Sequence, residues 1–147
     1  MQILLASLMV WAVVTGPEPD DDGATARIRC DIQIIHATRG AEFIDPALRP
    51  LARYLEASFG SRYQSFKLLN RSPMTLSRNE RSGLQLPNNT ELVLTYLGNE
   101  NEQLRLTMEV GSLRTTVKVH DGGLFFQAGR RYQGGMLVVA IRARNSS

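Results

Sequence analysis

The chain has 147 residues, one cysteine, two histidines and a formal net charge of +3. That length holds one domain and leaves no room for a second, the lone cysteine excludes an intrachain disulfide, and the ordinary apolar content excludes a disordered body. Charge is unevenly placed: Glu18, Asp20, Asp21 and Asp22 precede residue 26, whereas every Lys and Arg follows it. Residues 27–147 therefore carry seventeen basic and ten acidic side chains, a formal +7. A body of that sign suits anionic partners: nucleic acid, anionic lipid headgroups or acidic glycans. Fifteen of the seventeen basic residues are arginine, a bias that fits codon usage as readily as selection for anion binding.

Residues Ile3 to Val14 form an uninterrupted apolar run of signal-peptide length, too short to span a bilayer comfortably. Behind it, TGPEPDDDGATA has two prolines and three consecutive aspartates, and Ala24-Thr25-Ala26 offers a cleavage point. The expected organisation is a signal peptide or membrane anchor plus acidic linker over 1–26, then a single domain over 27–147. The chain is thus read as exported, periplasmic or extracellular. No basic residue precedes the apolar run, which departs from the usual leader. Asn70, Asn88 and Asn145 each begin an N-x-Ser/Thr triplet, meaningful only in a eukaryotic secretory pathway.

From Arg27 to His36 apolar residues fall at even positions, the period of a half-buried strand. Cys30 belongs to that apolar set and reads as a buried, inert thiol. After a loop through Thr38, Arg39 and Gly40 comes the one helix, near residues 45–59. Asp45 caps it, Pro46 suits its first position, Leu48, Leu51, Leu55 and Phe59 form its apolar stripe, and Gly60 ends it. Pro50 bends the first turn or shifts the helix start. Beyond Gly60 the pattern is strand after strand: 63–69, 74–78, 83–86, 91–97, 103–110, 112–120, 124–127 and 136–144. Turns are expected at PNNT, GNENE, DGG and GRRYQGG. The fold class is mainly β, an antiparallel sandwich or open barrel with one packed amphipathic helix.

Catalytic motifs are missing: no Gly-x-Ser-x-Gly elbow, phosphate loop, paired-cysteine zinc spacing or His-Glu-x-x-His occurs. No catalytic residue, metal ligand or cofactor is expected. His36 and His120 lie at predicted strand ends, so a cluster of His36, His120 and Asp121 is the one dispersed site worth testing. Candidate ligand-binding residues are basic: Arg130 and Arg131 in the GRRYQGG turn, and the pairs Arg27/Arg29 and Arg142/Arg144 on the first and last strands. The spacing of two puts each pair on one face. Were those strands neighbours, four guanidiniums would share a stripe and repel without an acidic partner; separate strands are the simpler expectation. Phe125 and Phe126 point to opposite faces, so at most one stacks outward, and no nucleic acid is expected as a partner.

The segment from Val117 to Gly135, VKVHDGGLFFQAGRRYQGG, places Asp121-Gly122 between two apolar strands, followed by Gly129 and Gly134-Gly135. It resembles the carboxyl-terminal hairpin region of bacterial secretins, outer-membrane rings of secretion and pilus systems. The resemblance covers about twenty residues and implies no pore, since the chain lacks a secretin's further domains. From His36 onward the sequence is similar to uncharacterised exported β-proteins of Gram-negative bacteria, which supplies no activity. The expected function is a non-enzymatic structural or binding subunit of a secretion, pilus or motility assembly in the cell envelope, with protein partners there. The alternatives are a module binding an anionic glycan or lipid headgroup, and an enzyme at His36, His120 and Asp121.

Overall fold

A computed structural model describes residues 26–146. The apolar run, the aspartate run and most of the Ala24–Ala26 triplet lie outside the described residues. Nine strands form two sheets: β1 (Arg27–Thr38), β2 (Phe43–Ile44), β3 (Ser65–Ser77), β4 (Arg81–Gln85), β5 (Glu91–Glu100), β6 (Gln103–Val110), β7 (Leu113–His120), β8 (Gly123–Tyr132) and β9 (Gly135–Asn145). The five-stranded sheet has the order β2-β3-β1-β9-β8, and the four-stranded sheet the order β4-β5-β6-β7. All pairings are antiparallel except the short β2–β3 pairing. The expected mainly β fold with one helix is thus the observed one.

The even face of β1 (Ile28, Cys30, Ile32, Ile34) packs with Leu137, Val139 and Ile141 of β9 against Leu92, Leu94, Tyr96, Leu104 and Leu106 of the other sheet. This is the sandwich core. A second core lies on the opposite face of the five-stranded sheet. There a 3-10 helix (Pro46–Leu51) and α1 (Ala52–Phe59) lay Leu48, Leu51 and Leu55 over Ile35, Ala37, Val138 and Ala140. Because that sheet is buried on both faces, β9 has a continuous apolar run, MLVVAI, where a half-buried strand would alternate. Asp45 starts the helical layer as expected: its Oδ1 accepts from the Ala47 amide at 3.0 Å, and its Oδ2 accepts from the Leu68 amide at 3.0 Å. Those two bonds lower the Asp45 pKa below the usual carboxylate value. Pro50 sits inside the 3-10 segment, and the α-helix begins only after it.

Three local expectations are corrected. The segments 63–69 and 74–78 are one strand, β3, running through Pro73. A proline is tolerated there because β3 is paired on its far side only at Ser65 and Phe66, so Pro73 lies on an open edge. The Asp121-Gly122 turn does not close a paired hairpin: β7 and β8 belong to different sheets, and the turn is a corner between them. GRRYQGG is not wholly a turn either. β8 continues to Tyr132, and only Gln133 (φ 43°) and Gly134 (φ 77°) make the reversal, the left-handed pair that a two-residue hairpin turn requires.

Candidate functional site

Arg130 and Arg131 are adjacent in sequence but serve different ends. The β8–β9 register shifts between Ala128 and Arg130, a bulge at Gly129 (φ 117°). Past it, Arg130 lies opposite Leu137 of the sandwich core, and Arg131 lies opposite Met136 of the helix-side core. The Arg130 guanidinium donates to the Val110 carbonyl at 2.9 Å, tying β8 to the end of β6 across the sandwich. It is a structural clamp. Arg131 is exposed and lines a cleft of about 560 Å³ with Arg39, Arg62, Tyr63, Tyr132 and Gln133.

Three segments meet in that cleft. Arg39 follows the last residue of β1, and Gln64 donates its amide to the Thr38 carbonyl at 3.0 Å, holding the two loops side by side. Arg62 and Tyr63 sit in the turn that closes α1, where both amides donate to the Phe59 carbonyl at 3.0 and 2.9 Å. The Arg62 guanidinium lies 5.8 Å from the Tyr63 ring centre, which limits where it points. The β8–β9 turn is braced from beneath. His36 Nε2 donates to the Tyr132 carbonyl at 2.9 Å, and the two rings meet edge to face at 5.2 Å. Among the described residues, Arg39, Arg62 and Arg131 form no ion pair, and no carboxylate lines the cleft. Three guanidiniums around one hollow repel one another, and a bound anion relieves that repulsion. Arg39 and Arg62 carry no signal of this in the sequence, because each is a single arginine in its own loop.

The terminal pairs come together, contrary to the expectation that their strands lie apart. β1 and β9 are neighbours, with Arg29 opposite Arg144 and Asp31 opposite Arg142. The acidic partner the stripe requires is Asp31. Its Oδ1 lies 3.4 Å from Arg29 Nε, and its Oδ2 lies 3.5 Å from Arg144 Nη2. Arg142 donates to the Gly122 carbonyl at 2.7 Å, and Arg27 is exposed at the start of β1. Beside this stripe, at the foot of the helical layer, is a second cleft of about 340 Å³ with Arg71, Gln33 and Pro50 on its walls.

The proposed histidine cluster does not form. Asp121 Oδ1 accepts from the Asn145 amide at 2.8 Å, level with Ile28, whereas His36 is eight residues further along β1, about 26 Å away at the usual strand rise. Among the described residues no group of three or more His, Cys, Asp or Glu side chains could hold a metal, and no helix is long and apolar enough to cross a membrane. Phe125 packs in the sandwich core and Phe126 in the helix-side core, so neither stacks outward. Cys30 is buried, and burial pushes its thiol up to about 12. Asn88 accepts from the Thr90 amide at 3.2 Å, a local turn contact within its own triplet. Comparison with known protein families, curated proteins and solved structures finds no match to the chain.

Proposed function

We propose that the chain is a binding module for an anionic ligand, engaged at the Arg39–Arg62–Arg131 cleft. The observation that carries this reading is the convergence of three exposed guanidiniums from three separate segments on one hollow without a carboxylate. The planar forks favour carboxylate, sulfate or phosphate groups over a diffuse negative field. Such groups occur on acidic glycans and on lipid headgroups, and binding assays separate the two. A uronate trisaccharide and phosphatidylglycerol vesicles are each titrated at low salt against the full chain and against R39Q/R62Q/R131Q. The true source loses at least tenfold in affinity with the triple variant and weakens as salt rises. Equal affinity of the two proteins for both probes rejects the cleft.

An exported location accompanies this reading, supported by the apolar run Ile3–Val14. N-terminal sequencing of the mature protein checks it, and retention of Met1 on a cytoplasmic product rejects it. A role as subunit of a secretion, pilus or motility assembly draws less support from the structure. The open edge of β3 is the natural docking strand, but the bulge beside Leu69 and the ring of Pro73 interrupt it.

A further inference from the structure

The three-arginine cleft adjoins an acidic hollow lined by Glu42, Glu56 and Tyr63, and a second basic hollow lies on the same side of the molecule. The second opens at the other end of the helical layer, where Arg71, Arg142 and Arg144 face Asp31. Asp31 occupies Arg144, and Arg142 is held by Gly122, yet Arg71 makes no side-chain hydrogen bond or ion pair among the described residues. One carboxylate among three guanidiniums leaves this hollow basic as well. Between the two hollows lies the helical layer, which covers Ile35, Ala37, Val138 and Ala140 and exposes Arg49 and Arg53 on its outer surface. Along β9 the hollows are separated by the seven residue-to-residue steps from Gly135 to Arg142, about 23 Å at the usual strand rise.

We infer that the ligand is a linear acidic polysaccharide that occupies both hollows and crosses the helical layer between them. This inference rests on the anion-binding reading of the first cleft and extends it to a second contact point. The helical layer packs on the sheet between the two hollows, so a ligand that engages both has to pass over it, which a flexible linear chain does more readily than a flat headgroup surface. Among the described residues the rings on this side form no continuous platform for stacked bases: Tyr54 and Tyr63 are single rings on separate elements, and Tyr132 is held edge to face against His36. Nearly all the cations here are arginine, whose fork matches the carboxylate that each uronate repeat presents.

Linking two contacts makes the second one intramolecular, so affinity jumps once a ligand is long enough to reach it. The test is a length series of oligogalacturonates titrated against the full chain and against R71Q, with phosphatidylglycerol vesicles and a single-stranded oligonucleotide as comparators. R71Q is suitable because the Arg71 side chain is exposed and holds nothing else in place. The expected result is a rise of at least tenfold when the oligomer exceeds about 23 Å in span, with the rise lost in R71Q and short-oligomer affinity unchanged. Affinity that grows no faster than the number of repeats, equally in both proteins, overturns the two-hollow inference while leaving the first cleft standing. No binding of short or long oligomers overturns both. Tighter binding to vesicles or to the oligonucleotide than to the longest oligomer replaces the polysaccharide as ligand.

Discussion

The outer faces of the two sheets handle charge in opposite ways. On the four-stranded sheet, cations and carboxylates interleave: Glu109 lies 3.3 Å from Arg81 and 3.5 Å from Arg114, and Glu100 lies 3.3 Å from Arg105 and 3.4 Å from Lys118. Each carboxylate serves two cations, one from the adjacent strand and one from two strands away, so this face is largely neutralised. On the five-stranded sheet, helices cover the middle, and arginines gather at both ends, where Asp31 is the one carboxylate in an ion pair among the described residues. Composition already separates the two: residues 78–120, which build the four-stranded sheet, carry five basic and five acidic side chains, whereas the rest of the body carries twelve basic and five acidic. The +7 of the body is concentrated in effect on the helix side, where a field is available to steer an anionic partner.

The largest test of that contrast is structural. Leu55 is fully buried beneath the helical layer, so Leu55→Ala is expected to cost about 2–5 kcal/mol, read from urea unfolding. The same variant is also expected to weaken anion binding, because α1 ends in the turn that presents Arg62. A stable L55A protein with unaltered binding breaks the claim that the helical layer organises the basic side. Next in size is charge removal. R39Q/R62Q/R131Q is expected to lose at least tenfold in affinity for the anionic probe, whereas R114Q on the paired face changes it less than twofold; isothermal titration at low salt compares them. Equal losses mean that net charge, and not the cleft, is what the ligand feels.

A third prediction concerns Asp45. Its pKa is lower folded than unfolded, through the Ala47 and Leu68 amides, so the stability it contributes is present above the unfolded value, near 4, and is lost as pH falls through the folded value. Acid titration of stability should therefore be flatter in Asp45→Asn over that window, and identical curves refute the assignment. The smallest effect is on the paired face: Glu100→Gln is expected to cost roughly 0.2–1 kcal/mol, shrinking as salt rises. A larger, salt-independent loss would show that face to be less dispensable than its exposure implies. Cys30 supplies a separate check on the sandwich core: its buried thiol should resist a thiol reagent at pH 8 until the protein unfolds.

Much of the fold was legible because it is written in local periodicity. The alternation over Arg27–His36 gave β1 and its buried Cys30, the Leu48, Leu51, Leu55 stripe with Asp45 ahead of it gave the helical layer, and Gln103 to Val110 marked β6 to the residue. Pro73 misled, since a proline reads as a break until the strand is known to be an edge. GRRYQGG misled too, because a bulge at Gly129 lets a strand continue where glycine and charge suggest a turn. The basic residues show the sharpest division. Sequence spacing put Arg29 with Arg27, and Arg144 with Arg142, on one face of each strand; it carried no information on whether the first and last strands meet. It likewise paired Arg130 with Arg131 as turn residues, whereas they lie in β8 and strand alternation sends them to opposite faces.

What the sequence determined by itself was therefore a mainly β body with one helix, a buried thiol and an excess of arginine. Only the tertiary structure decided that Asp31 would neutralise the terminal stripe and that Arg39, Arg62 and Arg131, as many as 92 positions apart, would share one hollow. The reason is physical: side-chain direction repeats every two residues along a strand and is local, whereas strand adjacency is set by which apolar faces bury together across the whole chain.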